Sequence, residues 1–451
     1  MNFFQRNLYS SLVTWKQKQT RKPLIIRGAR QVGKTTLIRQ FSKEFRFFIP
    51  LNLERPEDAR LFGEHKNSKD TIEQLFFEHN LNPADKETLL FIDEVQALPF
   101  VIKQVRYFQE DFPDLHIVLA GSLLEFALRQ IPSFPVGRVE ELVLHPLSFD
   151  EFLLAVGETA VHRKLQNIPF SDFAYEKTTK LFQTYTVIGG MPEIVSEYAE
   201  RLSLAGIRDI YASIWESYKS DFIKYAGNLS QVNLMRYVIN TAPYVRDRIV
   251  FNNFGGSEYR SREVSEVFRM LDLARIIYLV YPATSCEMPQ IPNTSRRPRM
   301  QFLDTGLLNY ASGIQTELMK MEDLSAYFKG FIYQHIATQE LISIESSHHY
   351  RPLFWVKENA KMTSEIDLTF HWNNFLIPIE VKSGAKGRLK SLHEFMISAP
   401  HKLSIRLQNN KFSTESCITR TGHEFTLINL PVFLTSKIPR YLRYVSDDLI
   451  I

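Results

Sequence analysis

Eight residues near the start of the chain, Gly28-Ala29-Arg30-Gln31-Val32-Gly33-Lys34-Thr35, fill every defined position of the pattern G-x-x-x-x-G-K-S/T. Glycines let such a loop curl until its N–H groups point at phosphate oxygens, at a helix start whose dipole favours anions. In this pattern Lys34 reaches the β- and γ-phosphates and Thr35 holds Mg²⁺, so the chemistry is binding and hydrolysis of ATP. A second run, Leu89-Leu90-Phe91-Ile92-Asp93-Glu94, ends a dry strand in two acids. Asp93 completes the Mg²⁺ shell, and Glu94 acts as base or positioner for the attacking water. After the apolar run His116 to Ala120, Ser122 emerges beside Asp93 as a candidate sensor of the γ-phosphate. Arg138, following Val136-Gly137, is either an arginine finger offered by a neighbouring copy, which implies a homo-oligomer, or an ordinary surface arginine.

The other constellation lies near the end of the chain. Glu365 to His371 and Phe375 to Lys382 are strand-like runs around Asn373-Asn374, a two-residue turn. That turn pairs positions whose numbers sum to 747, which sets Asp367 opposite Glu380 and gathers Ile366, Leu368, Phe370, Ile377, Ile379 and Val381 on one apolar face. Like charges directly opposed are unfavourable. They are tolerated when a divalent cation sits between them, as in metal-assisted phosphodiester cleavage, with Lys382 orienting the nucleophilic water. The alternative is a solvated polar face. Pro378 removes one ladder donor toward an outer neighbour.

Elements must position these residues. Apolar runs at 23–27, 47–51, 89–92 and 116–120 alternate with helical stretches at 70–77 and 100–108, the pattern of a parallel sheet covered on both faces. The fold class expected is α/β multidomain: a P-loop parallel-sheet core over 1–165, a helical lid over 166–228, a winged-helix-like region over 229–300 and a further α/β domain over 301–451, where the resemblance described below implies an AAA-type core and a nuclease-like last domain. In the lid, Tyr211, Trp215, Tyr218 and Phe222 recur at spacings of three and four and read as a core stripe. Arg262 and Arg269 on a possible recognition helix, with Arg296, Arg297 and Arg299 behind it, are candidate contacts to DNA phosphates, although Glu263 and Glu266 share that helix.

Composition removes several classes. A net charge of +4 over 451 residues is too small for bulk electrostatics to argue for nucleic acid. The two cysteines, Cys286 and Cys417, stand far apart with no zinc-ligand spacing, which fits a cytoplasmic protein. The basic N-terminal segment with Arg6 and Lys16 breaks any leader-peptide core, and no run is long and apolar enough to enter a membrane.

The sequence resembles the bacterial and archaeal P-loop ATPases that join an AAA-type core to the C-terminal domain known as DUF4143. The likeness rests on GARQVGKTT at 28–36, FIDEVQ at 91–96, AGS at 120–122, GR at 137–138 before HPLSFDEF, GGMPE at 189–193, FLDTGLL at 302–308, EID at 365–367 and IEVKSG at 379–384. The resemblance implies a nucleotide site extending to Thr36 and a C-terminal domain similar to PD-(D/E)XK nucleases, with Asp367, Glu380 and Lys382 at the nuclease-like positions. One position departs: where the family shows an early acid after Gly330, this chain has Gln334, and Glu340 further along falls on another face of the helix. Two functions follow as expectations. One is an ATP-driven enzyme acting on DNA. The other is a nucleotide-controlled switch whose inactive nuclease-like domain binds a protein partner.

Overall fold

The computed structural model describes residues 4–63, 67–82, 87–122, 124, 137–204, 206–224, 226–321, 330–347, 350–359, 362–382 and 389–449. The first apolar runs form strands β1 (Leu24–Arg27), β2 (Phe47–Asn52), β3 (Thr88–Asp93) and β4 (His116–Ala120), joined by β5 (Glu140–Val143). All pair in parallel in the order β2-β3-β4-β1-β5. Every residue of β1, β3 and β4 is buried, as expected of strands covered on both sides. Helices α1 (Leu8–Gln17), α2 (Lys34–Phe41), α3 (Ser68–Glu78) and α4 (Phe100–Asp111) supply the cover. Ile72, Leu75 and Phe76 of α3 and Val101, Ile102, Val105 and Phe108 of α4 pack with Ile49, Leu90, Ile92, Ile117 and Leu119 of the sheet. The opposite parity of β4 meets α1, where the Trp15 ring stands edge-on to His116 at 5.8 Å.

These elements belong to one compact unit, Met1–Pro146, which also takes in two later pieces of chain, Leu273–Arg275 and Ser346–His349. The Val143 N–H at the end of β5 donates to Ser346 O at 2.9 Å.

The second unit, Leu147–Asp272, Ile276–Glu345 and Tyr350–Ile451, begins with helices. They are α5 (Phe149–Ala155), α6 (Tyr175–Ile188), α7 (Pro192–Arg201), α8 (Ile207–Ile223), α9 (Leu229–Thr241) and α10 (Ser261–Leu273). The aromatic stripe of α8 is core, with Tyr211, Trp215, Tyr218 and Phe222 all buried. A two-stranded antiparallel pair follows, β6 (Ile277–Val280) with β8 (Arg299–Phe302), and between them β7 (Pro282–Ala283) leaves to join a larger sheet. That sheet has the order β13-β14-β12-β11-β10-β9-β7, where β9 is Leu353–Asn359, β10 Met362–Trp372, β11 Phe375–Val381, β12 Leu403–Gln408, β13 Ser413–Ile418 and β14 Glu424–Pro431. Helices α11 (Thr305–Ala311), α12 (Phe331–Ser343), α13 (Lys390–Met396) and α14 (Ile438–Leu449) complete the unit.

Three of the quoted motifs meet in its core. Asp304 caps α11, its Oδ1 accepting from Leu307 N at 2.9 Å, and its Oδ2 accepts from Gly190 N at 2.6 Å. Leu147 N in turn donates to Gly190 O at 2.7 Å. The Tyr185 hydroxyl lies 2.8 Å from Leu147 O and 2.9 Å from Glu340 Oε1, which also accepts from Phe149 N at 3.1 Å. Glu340 is fully buried and its Oε2 has no hydrogen-bond partner among the described residues. Burial pushes the carboxyl up to about 8, with Tyr185 opposing that shift. Glu340 is thus neutral at pH 7.

Candidate functional site

Register along the first sheet decides where its chemistry collects. Ile26 pairs with Ala120, Ile92 with Leu119, and Asn52 with Asp93, so β1, β3 and β4 end level. Gly28, Glu94 and Ser122 therefore leave the sheet at one carboxyl edge, the place where ligands sit in open parallel sheets. The turn from β1 into α2 needs residues with positive φ: Gly28 at 148°, Gln31 at 61° and Gly33 at 95°. Gly28 also lies against the Leu144 carbonyl, which a Cβ would meet at 2.4 Å. No side chain caps α2 at Gly33, so the helix presents its first backbone N–H groups to the loop.

Within that loop the Lys34 ammonium donates to Gly28 O at 3.0 Å and Ala29 O at 2.8 Å. Burial lowers it to about 8, against Glu94 and Asp93, which hold it up, and together with Arg30 and Arg275, which push it down. Thr35 Oγ1 donates to Asp93 Oδ2 at 2.6 Å, joining the first turn of α2 to the end of β3. Burial raises the Asp93 carboxyl, and the Thr35 hydroxyl works against that rise. A hydroxyl and a carboxylate oxygen in contact are the hard donor pair that Mg²⁺ takes, so these residues fit that ion. Glu94 sits at φ 51°, outside the ordinary range for a non-glycine residue.

Two residues of this site were not legible as such. Gln96, quoted only as the end of FIDEVQ, donates its amide to Glu94 Oε2 and so fixes the carboxylate beside the loop. The Gly121 α-carbon faces the same amide, whose Oε1 a Cβ would meet at 2.4 Å. Arg6 holds the loop from the N-terminal segment, donating Nη1 to Val32 O at 2.9 Å and Nη2 to His145 O at 2.5 Å. Nothing local marks it, because both acceptors are backbone atoms distant in sequence. Arg138 is exposed and pairs with Glu110 of α4. Val136, cited beside it, lies outside the described residues.

In the second unit the β10–β11 hairpin has the expected register, with Leu368 opposite Ile379 and Phe370 opposite Ile377. Asn373 and Asn374 both have positive φ, the signature of a two-residue hairpin turn. The ladder to β12 begins at Ile379, one residue past Pro378, so the ring removes no bond there. Ile366, Leu368, Phe370, Ile377, Ile379 and Val381 are all buried. At Asp367 the side chain takes over from the ladder, its Oδ2 accepting from Val381 N at 2.9 Å. Glu380 is buried as well, where a solvated face was the alternative. Burial pushes its carboxyl up to about 7, assisted by the charge of Asp367.

The charges facing these acids come from the chain itself. Lys382 Nζ lies 2.5 Å from Glu380 Oε1. Arg299 and Arg248 both pair with Glu365, and Arg299 Nη1 stands 3.8 Å from Asp367 Oδ1 and 3.2 Å from Asp367 O. Arg299 therefore does not belong with Arg296 and Arg297 as an outward cation; the carboxylates of β10 hold it inward. Gln334 lines a pocket with Arg246, Asp247, Arg299, His335 and Leu368, whereas Glu340 on the same helix turns to Tyr185. Among the described residues no cluster of three or more histidine, cysteine or acidic side chains is placed to hold a metal. No helix among them is long and apolar enough to cross a membrane.

Comparison with known proteins finds three family matches along the chain. Residues 20–153 match the family model of an AAA domain, 179–318 a domain of unknown function, DUF8612, and 329–426 a domain of unknown function, DUF4143. An uncharacterized protein of Haemophilus influenzae is 25% identical over 329 residues, which cover 68% of this chain and 73% of that one. Among solved structures, the Walker-type ATPase PABY2304 of Pyrococcus abyssi aligns at 14% identity with a TM-score of 0.44, over 68% of this chain and 96% of the other. Sheet, phosphate loop and acid pair define a P-loop nucleotide-binding core. By these family matches the chain is similar to AAA-type P-loop ATPases, with an AAA domain match at 20–153 and a DUF4143 match at 329–426.

Proposed function

We propose that this protein binds and hydrolyses ATP at Gly28–Thr36 and that DNA is the partner it acts on or is regulated by. The observation that carries the first half is the Thr35–Asp93 hydrogen bond, 2.6 Å long, beside a buried Lys34 and a Glu94 held by Gln96. Backbone N–H groups at the start of α2 and the Lys34 ammonium bind the β- and γ-phosphates. Thr35 and Asp93 hold Mg²⁺, which neutralises developing phosphate charge when bound. Glu94 orients the attacking water, its carboxylate kept in place by the Gln96 amide. Ser122, at the end of β4, reports the γ-phosphate.

The DNA half rests on the order of elements in 229–302. Two helices, α9 and α10, precede the antiparallel pair β6 and β8, the sequence of parts in a winged helix. Arg262 and Arg269 are exposed on α10, and Arg296 and Arg297 are exposed on the connection between the strands. The test is ATP turnover with and without duplex DNA at one fixed low salt concentration. Stimulation that disappears in Lys34→Ala supports the proposal. Turnover indifferent to DNA contradicts its second half.

A second reading is a nucleotide-controlled switch whose nuclease-like domain does not cut and binds a protein partner. The contacts of Arg299 and Arg248 to Glu365, and of Lys382 to Glu380, favour it, because the acids are already neutralised from within. Light scattering with a non-hydrolysable ATP analogue tests assembly, and an unchanged mass counts against the switch.

A further inference from the structure

Helix α8 carries Arg208, Trp215 and Lys219 at spacings of seven and four, which sets them along one face. Tyr310 of α11 meets that helix through its ring, stacked on Tyr211 at 5.6 Å with 14° between the planes, and the Trp215 ring packs on Phe302 at 6.3 Å. Between α8, α11 and the short helix Gln315–Lys320 these side chains leave a cavity of about 290 Å³. It lies wholly within the second unit and shares no residue with the phosphate loop or with the acids of β10 and β11. At that size it takes a compact small molecule.

The lining holds donors that the chain itself does not use. Gln315 is 3% exposed, and its Nε2 is buried with no hydrogen-bond partner among the described residues. A buried amide left without a partner is costly, so one kept at the wall of a cavity points to an acceptor that arrives from outside. Lys219 pairs with Glu216 on the same helix, whereas Arg208 is exposed and has no ion-pair partner among the described residues. Arg208 and Lys219 against Glu216 leave the lining with one net positive charge, complementary to an anion. Guanidinium and amide N–H groups both seek oxygen acceptors, and the guanidinium matches an oxyanion bidentately.

We propose that this cavity binds a small organic oxyanion, its phosphate or carboxylate group held by Arg208 and Lys219 and a further oxygen accepting from the Gln315 amide, against the Trp215 and Tyr310 rings. The pairings of those rings with Phe302 and Tyr211 set the walls before a ligand arrives, so little ordering is left to oppose binding. The site is independent of ATP hydrolysis and of DNA, and it stands if either reading above fails.

Trp215 reports occupancy through its fluorescence, and Trp215→Phe identifies the signal as its own. The probes are ribose 5-phosphate and glutarate, titrated separately at one fixed ionic strength. The expected result is a saturable change with at least one of them, which assigns the oxyanion as phosphate or carboxylate, and an affinity weakened about tenfold or more in both Arg208→Gln and Gln315→Met. Lys34→Ala should bind the probe as the parent does. Gln315→Met keeps the volume and removes the unpartnered amide, so without ligand it should melt at or above the temperature of the parent. A response to neither probe, an equal affinity in parent, Arg208→Gln and Gln315→Met, or a signal that survives Trp215→Phe overturns the proposal. Loss of binding in Lys34→Ala also overturns it, because the phosphate loop would then hold the probe, and so does a Gln315→Met variant that melts lower than the parent.

Discussion

The carboxylate of Asp304 fills the space that a side chain on Gly189 would need: a Cβ there would lie 2.2 Å from Oδ1 and 2.3 Å from Oδ2. The same carboxylate accepts from Gly190 N and caps α11, so it cannot yield without giving up both bonds. Gly189 also takes φ 64°, strained for any other residue. Gly189→Ala should therefore destabilise by about 3 kcal/mol or more. Chemical denaturation checks this, and a midpoint within experimental error of the parent would refute the close approach.

Lys34→Ala should abolish nucleotide binding, whereas Glu94→Gln should bind ATP normally and hydrolyse it at least about a hundredfold more slowly. Equilibrium binding and steady-state turnover measured side by side separate the two. Retained turnover in both variants is incompatible with the assignment.

The pH dependence of nucleotide affinity has a definite sign. Phosphate binds the protonated lysine, and burial lowers Lys34 to about 8. Affinity should be flat below about pH 7 and fall about tenfold per unit above pH 8, about two and a half units earlier than for an ordinary lysine. A titration of Kd flat to about pH 9.5 would contradict the shift.

Glu340 makes a separate prediction about stability. Its folded value of about 8 exceeds its ordinary value of 4.5, so the folded chain binds the extra proton between them. That stabilisation is complete below about pH 4.5 and is lost as pH rises through about 8. Glu340→Gln keeps an acceptor for Phe149 N and the Tyr185 hydroxyl and removes the titration. Between about pH 6 and pH 9 the melting temperature of the parent should drop relative to this variant. Parallel curves would show that Glu340 titrates near its ordinary value.

The carboxylates of the second unit are tested through their arginine. Arg299→Gln removes the arginine beside Asp367 and one of the two on Glu365, where Arg248 remains. If these acids work as a metal-dependent cutting site, Mn²⁺-dependent cleavage of duplex DNA should appear or increase in this variant and vanish on adding Asp367→Ala. An absence of cleavage in every variant would leave the acids a structural role.

How much of this was legible depended on whether the determining partners were near in sequence. Strands β1 to β4 are continuous apolar runs and fall within a residue or two of where the sequence set them. The hairpin was legible because Asn373-Asn374 and the alternating residues around it agree on one register. Strand β5 was not, since Glu140 and Glu141 open it and their counter-charges, Lys18 and Arg27, come from the far end of the unit. The edge strand β13, nearly all exposed, carries no apolar signal. Within the site, the loop and the acids declared themselves through local spacing. Arg6 and the inward turn of Arg299 did not, because each contact spans a distance in sequence that no local pattern encodes.

The Val143–Ser346 hydrogen bond and the inclusion of Arg275 mean that the nucleotide-binding unit is completed by chain made long after its strands. On the ribosome, the five strands of the sheet are all in hand by residue 143, while Ser346 follows on the order of ten seconds or more later at ordinary elongation rates. For that interval the nascent chain holds a phosphate loop without the later residues that close β5 or bring in Arg275. Synthesis thus imposes an order of assembly, loop first and its distant partners last.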